Sequence, residues 1–290
     1  MIVAGTKERR GIVWIASYPR SGSTWVRIFL HHLMKTIAGV PPGDNDLARL
    51  HESTRPEAAH VSLFEKFLGK PVKDADWREI VAVRPQVQSA IAERAERMVL
   101  IKTHSAMGRI HDMPTINLAA SAGAIYIVRN PLDIAVSLAP TAGISIDDAI
   151  TVMETPQFAN RTTEHAAFEM WGSWSEHVES WTGKKQSPVL VVRYEDMLAD
   201  PIAAFLRVTG HLRESPAPGQ VAKAVELASF ERARAQEDRF GFAERPEAAS
   251  RFFRAGRAGQ WRDSLTEAQV GRITAVHAAQ MRRFGYLPLS

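Results

Sequence analysis

Two short stretches hold side chains that could do chemistry together. LIKTHS, residues 100–105, ends an apolar run with Lys102 and His104, which share one face of a strand while Thr103 takes the other. A cation beside a base at a strand's C-terminal end can neutralise developing charge while the base takes a proton. YPRSGSTW, residues 18–25, sets Arg20, Ser21, Gly22, Ser23, Thr24 and Trp25 between an apolar run and an amphipathic helical pattern. The first N–H groups of a helix have no internal partner, and together with the helix dipole they make an anion site. The hydroxyls add donors, Arg20 adds positive charge and Trp25 offers a flat face for a base. The Walker A consensus, G-x-x-x-x-G-K-[ST], is not matched: the turn has one glycine and its basic residue comes first. Taken alone, the stretch also reads as a tight strand–helix turn capped by serine.

Two more stretches carry arginines. In AIYIVRNPLDIAVSLA, residues 124–139, Arg129 ends a strand pattern, Asn130 can cap a helix and Pro131 suits its first position. Ser137 then falls about two turns in. Taken alone, Arg129 reads as a helix-end or salt-bridge arginine. FFRAGRAGQWRD, residues 252–263, carries arginines at 254, 257 and 262 around two glycines, and backbone N–H groups near Gly256 could wrap an anion. A solvated basic loop is the other reading. The remaining histidines show no metal-ligand spacing, and no metal is expected.

The elements that must position these residues alternate. Apolar, β-branched runs at 11–17, 98–104, 123–129 and 188–194 read as strands covered on both faces. Helical patterns follow at 23–38, 131–139, 164–182 and 201–209, and Thr266-Glu-Ala-Gln opens a last helix reaching about residue 283. The expected fold is a three-layer α/β architecture with a central parallel sheet flanked by helices. Ligands then gather at the C-terminal strand ends. Residues 39–80 read as loops with short helices, and 234–262 as a long irregular segment. No repeat or linker divides the 290 residues, so one domain spanning 1–290 is expected.

Composition narrows the classes. Hydrophobic residues make up 45% and charged residues 23%, ordinary for a globular protein. The net charge is +4 without long basic runs, so no nucleic-acid partner is expected. There are no cysteines, which excludes disulfides, thiolate metal sites and a cysteine nucleophile. Neither a signal-peptide core nor an eighteen-residue apolar window is found, so the expected location is cytoplasmic with no membrane span.

In combination the motifs resemble those of the soluble sulfotransferases that use 3′-phosphoadenosine 5′-phosphosulfate (PAPS). That family's Y-P-K-S-G-T-T-W is followed by Tyr18 to Trp25, with Arg for Lys and Ser for Thr. Its R-N-P-x-D-x-x-V-S matches Arg129-Asn130-Pro131, Asp133, Val136 and Ser137, and its K-T-H matches Lys102-Thr103-His104. Its Y-E-D-M corresponds to Tyr194 to Met197, its S-F to Ser229-Phe230, and its late R-K-G-x-x-G-x-W to Arg254-Ala255-Gly256 through Trp261. The resemblance implies PAPS as co-substrate, no metal, and in-line sulfuryl transfer with His104 as general base. It implies that Arg20 and Lys102 stabilise charge, and that Ser137 links the 3′-phosphate to Arg20. Trp25 and Phe230 are implied to sandwich the adenine. A donor without β,γ-phosphates or Mg²⁺ explains the shortened loop.

Three departures stand out: Arg20 for Lys, Ala255 for Lys, and Gln260 where Asp is common. The K-x-x-x-T-V-x-x-x-E dimer motif of the animal enzymes is absent from residues 264–276, so a homodimer through that segment is not implied. A drifted P-loop kinase, with Glu195-Asp196 as metal ligands, is the rival reading, and a non-catalytic nucleotide binder is another. Acceptor-side loops are expected around 39–80, 105–118, 140–165 and 234–253. They bring Trp77, Met107, Met153, Phe158, Phe240, Phe242, Phe252 and Phe253 toward a small, partly hydrophobic acceptor.

Overall fold

Successive side chains of the strands enter two different cores, which is why the strands read apolar throughout. In the computed structural model, which describes residues 10–95, 97–183 and 188–287, Ile12, Trp14 and Ala16 enter one buried cluster while Val13 and Ile15 enter the other. Period-two alternation with both faces covered makes three layers. One outer layer includes the helices Trp77–Glu93, Pro131–Ala142, Ile146–Glu154, Trp174–Thr182 and Glu267–Arg283. The other includes Ser23–Ile37, Pro201–His211 and Pro218–Leu227.

The strands are β1 (Gly11–Ser17), β2 (Arg55–Pro56), β3 (Met98–Thr103), β4 (Arg109–Ile110), β5 (Met113–Pro114), β6 (Ser121–Val128) and β7 (Val189–Arg193). The main sheet has the order β2-β3-β1-β6-β7 and is parallel throughout; β4 and β5 form a separate antiparallel pair. Because β1 is flanked by β3 on one side and β6 on the other, the chain reverses its direction of travel across the sheet at β1. The crevice at such a reversal lies beyond the carboxyl ends of the strands. The turn 18–22, His104, Arg129 and Tyr194 all follow directly on these ends.

The expected three-layer α/β fold is therefore observed, with differences in detail. β2 adds a two-residue edge strand absent from the sequence reading. The helix expected over 164–182 begins only at Trp174, opened by the Ser173–Glu176 capping box. Upstream, the chain is extended: Ala159 bridges antiparallel to Met170. Its apolar residues reach the core from that conformation, so burial without helix explains the misleading pattern. Helix Trp77–Glu93, absent from the sequence reading, runs unbroken through Pro85, and its Asp76–Glu79 capping box is a readable start signal. The loop expected at 140–165 contains helix Ile146–Glu154, and residues expected to be irregular from 234 belong to helix Phe230–Phe240.

Buried neutral histidines tie this fold to pH. Burial is the first cause holding His32 and His277 to about 4 and His177 to about 3, below the ordinary 6.5. An unfolded chain would take up those protons near 6.5 while the folded chain refuses them. Stability is thus complete above about pH 6.5 and lost progressively as pH falls toward 4. Each such group contributes a slope of up to about 1.4 kcal/mol per pH unit. Urea midpoints from pH 8 to pH 4, roughly the span of these titrations, should fall steeply below 6.5; a flat profile would contradict this account.

Candidate active site

The turn after β1 is shaped by two left-handed residues, Arg20 (φ 68°) and Gly22 (φ 106°). Gly22 is required twice over: its φ disfavours a side chain, and a Cβ there would lie 2.6 Å from the Tyr194 ring. Arg20 pays about 1–3 kcal/mol for its backbone, and the surroundings hold it there. Its carbonyl accepts a hydrogen bond from Arg129 Nη1 at 2.9 Å. Its side chain donates Nε to Ser137 Oγ at 3.0 Å and Nη2 to the Phe252 carbonyl at 3.1 Å, lying over the Phe252 ring. Ser21 and Ser23 are buried, and Ser21 Oγ has no hydrogen-bond partner.

Arg129 is 5% exposed and stacks over Tyr194, 4.3 Å from the ring centre, while its Nη2 reaches the Arg257 carbonyl at 3.1 Å. Its Nε is buried without a partner. Arg254 donates to the Val136 carbonyl at 2.9 Å and to the Gln260 amide oxygen at 3.4 Å. The late loop is fixed through Asp133, which accepts from the backbone N–H of Gly259 and Trp261. Ala255 lies half-buried within that loop. Gly256, at φ 63°, lies so close to Phe230 that a Cβ would meet the ring at 2.4 Å. Ser229 is the N-cap residue of the helix that Phe230 starts. The partners of Arg20, Arg129 and Arg254 are a hydroxyl, carbonyl oxygens and an amide, not carboxylates. Burial first, then the charges of Arg129 and Arg254, pull the Arg20 guanidinium down to about 10. Like charges crowded in this way around buried Arg129 favour an anion.

His104 follows β3 directly. Its Nδ1 lies 2.7 Å from the Ser17 carbonyl, which can only accept, so Nδ1 carries the proton and Nε2 keeps its lone pair. Burial, and then the Lys102 charge, hold the imidazole well below its usual range, so it is neutral at pH 7. Behind it, Tyr126 Oη donates to His177 Nδ1 at 2.9 Å and His177 Nε2 donates to the His104 carbonyl at 3.0 Å. The His104 N–H donates to buried Glu169 at 2.7 Å. Lys102 Nζ lies 3.5 Å from Glu244, which also forms a bidentate pair with buried Arg27 at 2.6 and 2.7 Å.

A family model described as a sulfotransferase domain matches residues 11–285. The chain belongs to the sulfotransferase family. Cytosolic sulfotransferase 17 of Arabidopsis thaliana is 25% identical over 97% of this chain and 77% of its own length. Among solved structures, retinol dehydratase in complex with androsterone and inactive cofactor PAP aligns with TM-score 0.61 and 18% identity, covering 93% of this chain and 80% of that one. A mouse sulfotransferase, SULT7A1, complexed with PAP aligns with TM-score 0.58 and 20% identity, covering 95% and 85%. At those identities the likeness to the two structures is one of fold.

The residues singled out as donor-side in the enzyme thus lie at one sheet edge, with Arg20, Ser137 and Arg129 linked by hydrogen bonds. Trp25 packs edge-on against Tyr194 and Phe205, with ring centres 6.1 and 5.6 Å away. Three participants escaped the sequence reading. Arg27 is an arginine on an apolar helix, Glu244 falls in the irregular segment, and Glu169 falls in a stretch that reads as helix. The acceptor-side aromatics divide. Phe242, Phe252 and Phe253 pack on one another, Phe158 tilts against Trp171, Trp77 stacks on His111, and Met107 is half-buried. Met153 is completely buried core, while Phe240 points outward at 42% exposure. Glu195, a metal ligand in the rival reading, accepts from the Asn130 N–H and the Tyr286 hydroxyl. Among the described residues no group of three or more His, Cys, Asp or Glu could hold a metal ion, and no helix is long and apolar enough to cross a membrane.

Proposed function

We propose that the enzyme transfers a sulfuryl group from PAPS to a hydroxyl or amine of a small-molecule acceptor, with His104 as general base. The observation that carries this reading is the pairing of two features at one sheet edge. One is a cluster of arginines, Arg129 buried among them, whose hydrogen-bond partners are neutral oxygens, with the orphaned Ser21 Oγ and Arg129 Nε beside them. The other is a neutral histidine whose tautomer leaves Nε2 free to accept a proton.

PAPS, when bound, supplies a sulfur already joined to a phosphate leaving group. Arg20, Ser21, Gly22, Ser23 and Thr24 would hold its 5′ end, and Arg129, Ser137, Tyr194, Ser229, Arg254, Ala255 and Gly256 its 3′-phosphate side. Trp25 and Phe230 would flank the adenine. His104 Nε2 takes the proton of the attacking hydroxyl as the new oxygen–sulfur bond forms. The Arg20 guanidinium, aimed by Ser137, stabilises charge on the departing phosphate as the old bond breaks. An arginine stays protonated, so this residue neutralises the leaving oxygen without donating a proton. Lys102 stands near the transferring oxygens. Half-buried Phe252, over whose ring Arg20 lies, favours a partly hydrophobic acceptor; the androsterone and retinol named for retinol dehydratase are of that kind.

Isothermal titration with 3′-phosphoadenosine 5′-phosphate (PAP), beside ATP with Mg²⁺, tests the donor assignment. Tight binding of PAP in the presence of a chelator is expected. Binding of ATP–Mg²⁺ with indifference to PAP would replace this reading with the kinase.

A further inference from the structure

The donor and base residues leave one charged group of the site unexplained. Glu244 projects from the irregular stretch after helix Phe230–Phe240, yet its carboxylate reaches across to two separate elements. Oε1 and Oε2 receive Arg27 Nη2 and Nη1 at 2.6 and 2.7 Å, and Oε2 lies 3.5 Å from Lys102 Nζ. Arg27 is completely buried on the helix that begins at the donor turn. Its remaining donors are used on Thr54, Nε to the hydroxyl at 2.9 Å and Nη2 to the carbonyl at 2.8 Å. The guanidinium is therefore immobilised and presents a fixed fork to the carboxylate. Resting on the sulfotransferase reading, we propose that Glu244 is a positioning residue for the transfer: clamped by Arg27, its carboxylate is the resident counter-charge that holds the Lys102 ammonium beside His104.

The charges around Lys102 show why a counter-charge is needed there. Burial and the Arg27 guanidinium both work against an ammonium at this place, while Glu244 and, more weakly, Glu169 support it. Burial acts against ionisation of Glu169 itself, which makes it a poor substitute. Glu244 is the stronger anion, held down to about 2 by Lys102 and Arg27 against the cost of its burial. The same trio bears on the base: Lys102 disfavours the protonated imidazole of His104, and Glu244 partly offsets that. Glu244 thus influences the reacting atoms through Lys102 rather than by touching them.

The test compares wild type, Glu244→Gln and Glu244→Asp by titration with PAPS and with PAP between about pH 7 and about pH 9.5. Glutamine keeps an oxygen for Arg27 but removes the charge; aspartate keeps the charge. An opposite charge within about 4–6 Å moves a pKa by roughly 1–3 units. Losing it lets Lys102 shed its proton earlier, and PAPS binding must then restore that proton. The alkaline fall in PAPS affinity should begin at least about one pH unit lower in Glu244→Gln, at up to about tenfold per unit. Glu244→Asp should follow wild type, and PAP, which lacks the sulfuryl group, should bind all three alike. Parallel PAPS profiles in wild type and a folded Glu244→Gln would overturn the proposal alone, leaving Glu244 as a loop clip. Failure of wild type to bind either nucleotide would overturn the donor site, and this proposal with it.

Discussion

His104→Ala should lose roughly 10²–10⁴ in turnover, the usual contribution of a general base, and bind PAP as wild type does. The expectation follows from which nitrogen is engaged. Nδ1 is committed to the Ser17 carbonyl, so the ring is held in one orientation with Nε2 unprotonated. Burial and the Lys102 charge keep it so well below pH 6.5. The folded-state shift is downward, so the base form is complete at neutral pH and is lost only on acidification beyond the ordinary histidine range. His104→Asn sharpens the test: an amide can still donate to Ser17 but cannot take the proton. Transfer of labelled sulfuryl from PAPS to a panel of phenols, sterols and aliphatic alcohols would report it. An asparagine variant that retains turnover would remove His104 from the role of base and leave it as a support for Ser17.

How much of this was legible in the sequence depends on the distance over which a signal acts. The turn 18–25, the strand-end His104 and Arg129, and the cap at Asn130 are local patterns. A parallel sheet brings strand ends to one edge, so placing the strands placed those residues together. The hydrogen bond from Arg20 to Ser137 spans 117 positions, and it was anticipated only through the family resemblance. The Arg27–Glu244 pair spans 217 positions and matches no motif, so nothing local announces it. Arg27 carries no motif signal in its helix, yet it is fully buried because its three nitrogens find fixed partners. The failure at 164–173 has the opposite cause. Ala167 and Phe168 are buried in an extended segment, where tertiary packing overrides a helical pattern.

Arg129→Ala should weaken PAP binding by roughly 30-fold to a few thousandfold, because truncating a buried, hydrogen-bonded charge costs about 2–5 kcal/mol of affinity. The opposing possibility is that Arg129 matters only as a brace, since it holds the carbonyls of Arg20 and Arg257. The two roles separate in the nucleotide-free protein. Burial first, and then the repelling charges of Arg129 and Arg254, draw Arg20 down to about 10. Removing one member relieves that repulsion, partly offsetting the two lost hydrogen bonds. Thermal stability without ligand should therefore change little while affinity collapses. Arg129→Lys keeps the charge but not the planar fork that reaches both carbonyls and lies over Tyr194, so it should recover only part of the binding. If Arg129 were a brace alone, the alanine variant would melt early and its PAP affinity would fall no further than the loss of folded protein accounts for. Repulsion that the free protein tolerates and a bound anion would remove is the physical reason for proposing a donor site at this edge rather than a packing accident.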